Sequence, residues 1–522
     1  MRKNRYIYVT LLAVLGFQLE GYAQEKIKYA PRLVVNITID QLRTDYLEAF
    51  APLYGADGFK RLLTQGLVYE NASYPFSTID RASAISSVIT GVTPYYHSII
   101  AERWLNKESL RPINCTDDAR QAGLDSPSQL QVSTLGDELK VSTDGQARIF
   151  AIAPNKDAAI LSAGHAADFA FWIDEGTGQW KTSQYYSNAQ PSWILSFNEL
   201  QSPYAKQKKI IWEPVIELAG TFNYYQHIGE QPSFKHQFKG ERKFIEYKAS
   251  GLVNGDVTDL TLQCVSNNGL GYDRVTDLLC LTYYAGTYDH KPMSECQLEL
   301  QDTYVRIDRE LSRLIKTLEK RLGAEHLLFV LTSTGYSDEE SSNYDKYRIP
   351  SGTFYIDRTA NLLNMYFGAI WGQGRYVETC FSNQIFLNHK LLESKRISLT
   401  DAGQRAQEFI SQLEGVRNVY TALQLLGGNN PQIYKIRNGF NPERNGDILI
   451  EVSPGWRLIN SNTQDHQLSR ASYTQFPIIF YGADIAAELI KTPVTIDRIA
   501  PTIAKTIRIR APNACSHTNN NK

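Results

Sequence analysis

The segment Leu33 to Asp40 (LVVNITID) constrains the fold of this chain more than any other. A run with no charge until its last residue reads as a strand buried on both faces of a parallel sheet, with a carboxylate at its C-terminal tip. Ligand crevices of such sheets lie beyond the carboxyl ends of the strands, where Asp40 falls. Arg148–Ala153, Leu278–Tyr283, Leu327–Leu331 and Ile478–Tyr481 read as further strands. Gly58–Gln65 and a segment from Ser83 to Ile89 have helical patterns. From Glu299 to Leu322, apolar residues at 304, 307, 311, 314, 315, 318 and 322 keep a helical period, and Gly323 is placed to end that helix. The alternation predicts an α/β fold, a mostly parallel central sheet flanked by helices.

Two stretches break the rhythm. Residues about 200–270 are rich in aromatics and lysine, with Asn254-Gly255 reading as a hairpin turn. Residues about 350–460 mix patterns, with a helix near Thr400–Leu413 and a strand near Asp447–Val452. Both are expected as insertions capping the sheet of one domain over residues 24–522.

Arg2, Lys3 and Arg5 precede a short apolar stretch, Tyr6 to Phe17, and the small residues around Gly21-Tyr22-Ala23. This is the pattern of a cleaved leader over residues 1–23, and the stretch is shorter than the roughly 20 apolar residues of a membrane span. The mature chain is therefore expected to be exported, periplasmic or secreted, with no transmembrane segment. With 55 acidic and 54 basic side chains it lacks the basic surplus of a nucleic-acid binder. The six cysteines (115, 264, 280, 296, 380 and 515) form no C-x-x-C pair, and Cys280, in an apolar run, reads as a buried hydrophobe.

More specific are Asp40-Gln41-Leu42-Arg43, Thr90-Gly91-Val92-Thr93-Pro94, His97-Ser98-Ile99-Ile100 and the segment Ala163-Gly164-His165-Ala166-Ala167-Asp168. With Gln301-Asp302-Thr303-Tyr304, Pro442-Glu443-Arg444-Asn445-Gly446-Asp447 and Phe476-Pro477-Ile478-Ile479, they resemble the alkaline phosphatase superfamily in the same order. The nearest branch is the PafA-type phosphomonoesterases, related to the nucleotide pyrophosphatase/phosphodiesterases. The resemblance implies an alkaline-phosphatase-like sheet with caps. It also implies two zinc ions held by carboxylates and imidazoles, and a Thr or Ser that attacks phosphorus.

Position by position, that machinery is mostly missing. Asp40 matches the first metal-ligating aspartate, but the nucleophile position is Arg81, whose guanidinium has no lone pair to attack with. The next ligand pair falls on Thr287 and Lys291. The following motif becomes Thr332-Ser333-Thr334-Gly335, with Thr334 and Gly335 in place of aspartate and histidine, and the late histidine becomes Gln475. The phosphate-binding asparagine is Glu102, and the lysine and arginine of a K-D-R motif fall on Asn155 and Asp157, with Lys156 between them.

The expectation is an exported alkaline-phosphatase-fold protein that lacks the two-zinc site, needs no cofactor and works by binding a small molecule or a protein partner. Arg81 is expected to neutralise Asp40 and Glu102 with two-pronged geometry. The alternative is an active metal-dependent phosphomonoesterase or phosphodiesterase with zinc held by Asp40 and the substitutes Asp289, His290 and His466. Asp289 and His290, being adjacent, point to opposite faces of an extended segment. A scaffold role in the envelope is a third reading. Asp338-Glu339-Glu340 reads as a solvated loop, Thr78 and Ser83 as structural hydroxyls, and the tyrosines 224, 225, 247, 344, 347 and 355 as packing between cap and core.

Overall fold

The computed structural model describes residues 30–515, except 207–209, 216–232, 339–347, 429, 431–432, 463–469, 472–473 and 483. The expected leader lies outside the described residues. The elements that build the main sheet and its flanking helices begin, in chain order, with β1 (Leu33–Asp40), α1 (Phe59–Gln65), β2 (Leu67–Ser73), α2 (Arg81–Thr90), β3 (Ile149–Ala153), α3 (Lys156–Ala163), β4 (Phe169–Ile173) and β5 (Trp180–Lys181). α4 (Val253–Asn268), β6 (Asp277–Tyr284), α5 (Gln297–Leu322) and β7 (Leu327–Ser333) follow. A lobe is then inserted that contains α6 (Ile356–Trp371), β8 (Val377–Phe381), β9 (Gln384–Leu387), α7 (Leu399–Ile410), β10 (Val416–Thr421), α8 (Ala422–Gly427), α9 (Tyr434–Asn438) and β11 (Ile448–Val452). β12 (Phe476–Gly482), β13 (Glu488–Ile490) and β14 (Val494–Thr495) return to the main sheet.

The main sheet has ten strands in the order β13-β2-β12-β7-β1-β6-β3-β4-β5, with β14 also pairing with β2. β7, β1, β6, β3 and β4 run parallel, while β12 is antiparallel to β7 and to β2. All eight residues of β1 are buried. Leu33, Val35, Ile37 and Ile39 pack on the side of α4 and α5, whereas Val34 joins the opposite core with α2 and α3. Burial on both faces is why β1 lacks polar alternation.

The Asn254-Gly255 turn expected from the sequence is instead inside α4. Val253, Val257, Leu260 and Cys264 are buried at helical spacing against the sheet, and that burial outweighs the local turn preference. The end of the 200–270 stretch is thus core rather than cap. The 350–460 stretch has a core of its own, built on Phe354, Leu363, Phe367, Ile385, Ile410 and Ile450 around the small sheet β8-β9-β11-β10.

Candidate functional site

The parallel strands end at a charged crevice. Asp40 closes β1 and is 1% exposed. Its Oδ1 accepts from the Thr334 hydroxyl at 2.9 Å, and that hydroxyl accepts from the Gln41 N–H at 2.8 Å. Gly335 follows with φ 70°, and a Cβ there would sit 2.5 Å from the Tyr74 ring, so only glycine fits the turn. Burial pushes the Asp40 carboxyl above its ordinary range, opposed by Arg81 and by hydrogen bonds from Thr334 and Tyr336.

Arg81 is the first residue of α2, which is capped by Asp80. The Asp80 carboxylate accepts from the Ser83 N–H at 2.9 Å and its hydroxyl at 2.7 Å, so Ser83 serves the cap. A cation at a helix N-terminus opposes the helix dipole and needs anions close by. Arg81 Nε and Nη2 donate to both oxygens of Asp157, at 2.8 and 3.1 Å. Nη2 also lies 3.4 Å from Glu102, and Nη1 3.6 Å from Asp40. Arg81 therefore meets the two expected carboxylates, but the two-pronged partner is Asp157 in the first turn of α3. Burial disfavours the Arg81 charge; Asp157, then Glu102 and Asp40, outweigh it and hold the guanidinium protonated well beyond its usual range. Lys248, 6% exposed, pairs with Glu175 at 2.7 Å, and burial lowers its pKa. Its position was not legible in the sequence.

The other expected site residues scatter. Lys156 binds Asp125 at 2.7 Å, and Lys291 lies over the Tyr288 ring at 5.0 Å. The buried Thr287 hydroxyl has no hydrogen-bond partner among the described residues. Gln475 is exposed and offers its carbonyl to the Thr44 N–H. Asp289 pairs with Arg242 at 3.1 Å, whereas His290 Nδ1 meets Asp338 at 2.7 Å. The two part company, though not on an extended segment: both have positive φ, 49° and 55°, in a short 3₁₀ turn. Asp338 is held by Gln41, whose Nε2 donates at 3.3 Å, so it is not a solvated loop residue. Thr78 is exposed with φ 63°, an uncommon conformation for a β-branched residue. His466, Glu339, Glu340 and the tyrosines 224, 225, 344 and 347 lie outside the described residues. Tyr247 is buried with its hydroxyl on Asp256, and Cys280 is buried, as expected.

This donor set does not fit two zinc ions. One oxygen of Asp40 is taken by Thr334 and the other faces a guanidinium, and no group of three His, Cys, Asp or Glu placed to hold a metal occurs among the described residues.

The sheet order, the inserted lobe and the crevice at the strand ends define a protein of the alkaline phosphatase fold. A crystal structure of alkaline phosphatase PafA aligns with a TM-score of 0.79 at 23% identity, covering 93% of this chain and 97% of the other. The chain belongs to the type I phosphodiesterase / nucleotide pyrophosphatase family, whose pattern matches residues 34–475. Among curated relatives, alkaline phosphatase PafA of Elizabethkingia meningoseptica is 26% identical, covering 92% of both chains. Alkaline phosphatase PhoV of Synechococcus elongatus is 26% identical over 92% of this chain and 91% of its own. A protein of Myroides odoratus named calcium-transporting ATPase is 27% identical over 95% of both. No helix among the described residues is long and apolar enough to cross a membrane.

Proposed function

We propose that this chain is an exported, non-catalytic member of its family that works by binding a ligand or partner. The observation that carries this reading is Arg81 at the nucleophile position, pinned by both oxygens of Asp157. A guanidinium cannot attack phosphorus. The carboxylates of Asp40, Glu102 and Asp157 around it disfavour a phosphoryl dianion. Export rests on the basic head and short apolar stretch at the N-terminus.

A second reading, a phosphoric ester hydrolase with a rebuilt metal site, draws support from relatives named alkaline phosphatases. Against it, Asp289 and His290 are spent on Arg242 and Asp338. The two separate on purified mature protein, by zinc analysis and by assay of p-nitrophenyl phosphate and bis-p-nitrophenyl phosphate with added zinc. The binding reading expects substoichiometric zinc and no turnover. Stoichiometric zinc with turnover abolished by Asp40→Ala establishes the hydrolase instead.

A further inference from the structure

We propose that the inserted lobe carries a binding site for a neutral oligosaccharide, separate from the crevice and independent of whether the crevice is catalytic. Two adjoining cavities, of about 700 and 520 Å³, share Gln407, Leu423 and Gln424 and form one trough over α7, β10 and α8. Each has the size of a small-ligand site. Their chemistry is almost free of charge. Among the described residues, hydroxyls and amides of Thr400, Gln404, Ser411 and Thr421 line the first cavity, where Glu408 is the one acidic or basic side chain and accepts from Gln404; the second is lined by no described Asp, Glu, Lys or Arg.

The amides are fixed in advance. Gln407 Nε2 donates to the Val419 carbonyl at 2.7 Å and to Gln424 Oε1 at 3.3 Å, while Gln424 Nε2 donates to Gln407 Oε1 at 2.8 Å. Gln424 is held further by the capping box it forms with Thr421 at the start of α8. Both N–H groups of Gln407 are used, and Gln424 Oε1 accepts from the Thr421 N–H as well as from Gln407, so one N–H of Gln424 and one lone pair of Gln407 remain for a ligand. Hydroxyl groups, which donate and accept, match such a surface; an ionic ligand finds little counter-charge. Leu423, 46% exposed, sits where the cavities meet and offers an apolar contact to the C–H face of a sugar ring.

An extended peptide fits less well. β10 is an edge strand, and strand addition needs its outward backbone groups, yet the Val419 carbonyl is already occupied by Gln407.

The test is titration of the mature chain with cellotriose, maltotriose and chitotriose by calorimetry and ligand-observed NMR. At least one is expected to bind with a dissociation constant of about 1 mM or tighter. Gln424→Ala and Leu423→Glu are each expected to weaken that binding tenfold or more. Leu423 is a surface position, so Leu423→Glu is expected to keep the parent melting temperature and to guard against a folding artefact. Absence of binding for all three sugars at about ten times that concentration overturns the proposal. So does binding that survives Leu423→Glu.

Discussion

Arg81 and Asp157 face each other from the first turns of two helices and join through two parallel hydrogen bonds, at 2.8 and 3.1 Å. The guanidinium is 14% exposed, as is the carboxylate. On the resemblance read from the sequence, a cation stands where a hydroxyl is expected and an anion where an arginine is expected. The positive charge at Arg81 is held by the carboxylates of the protein itself.

The first consequence is energetic. Removing one partner of a buried ion pair leaves an uncompensated charge, at a cost of about 3–5 kcal/mol. Arg81→Met is expected to destabilise by that amount in urea unfolding. The double variant Arg81→Met/Asp157→Leu is expected to cost clearly less than the sum of the two singles. Additive single effects would show that the pair is not coupled.

Asp40 supplies a pH-dependent test. Its folded pKa lies above the ordinary carboxyl value of 3.8, first because of burial, so the native state binds the proton more tightly than the unfolded chain does. Stability attributable to this group therefore falls as pH rises from 3.8 through the folded value. Asp40→Asn removes the loss, while Arg81 keeps Asp157 and Glu102. The melting temperature of Asp40→Asn relative to the parent is expected to improve with rising pH and then level off. A difference that worsens with pH would mean that the ionised carboxylate is stabilising.

Metal dependence gives a third test. Without Arg81, the carboxylates of Asp40, Glu102 and Asp157 converge with no internal cation. Arg81→Thr is expected to gain melting temperature on addition of Mn²⁺ or Zn²⁺, and the parent to respond neither to these ions nor to a chelator. A parent protein that loses stability with EDTA refutes the metal-free crevice.

Asp80 is the keystone of the same corner. Its carboxylate accepts from Ser83 and also from the Glu102 N–H. Asp80→Ala removes a helix cap and leaves a second amide unpaired, an expected cost of about 2 kcal/mol. Asp80→Asn, which retains an acceptor oxygen, should recover part of it; equal losses for the two would place the effect outside the cap.

How much of this was legible in the sequence depends on where the information sits. β1 and α5 could be read because burial on both faces, or along one stripe, leaves a local pattern. α4 could not, because Asn254-Gly255 carries a strong turn signal and only tertiary packing overrules it. At the site, Arg81 was legible as an intruder with carboxylate neighbours, but its main partner was not. The charge reversal at Asp157 was in view; that the N-termini of α2 and α3 face each other was not. Likewise nothing local announces that His290 turns to Asp338, 48 positions away, while its neighbour turns to Arg242.

The Arg81–Asp157 exchange also limits how this chain can change. Restoring a hydroxyl at 81 strands the Asp157 carboxylate, and restoring an arginine at 157 sets two guanidiniums against each other. Either single reversal passes through a less stable protein than its neighbours on the path. The crevice thus behaves as a latch: a change at either position alone costs stability, and only a paired change at 81 and 157 avoids it.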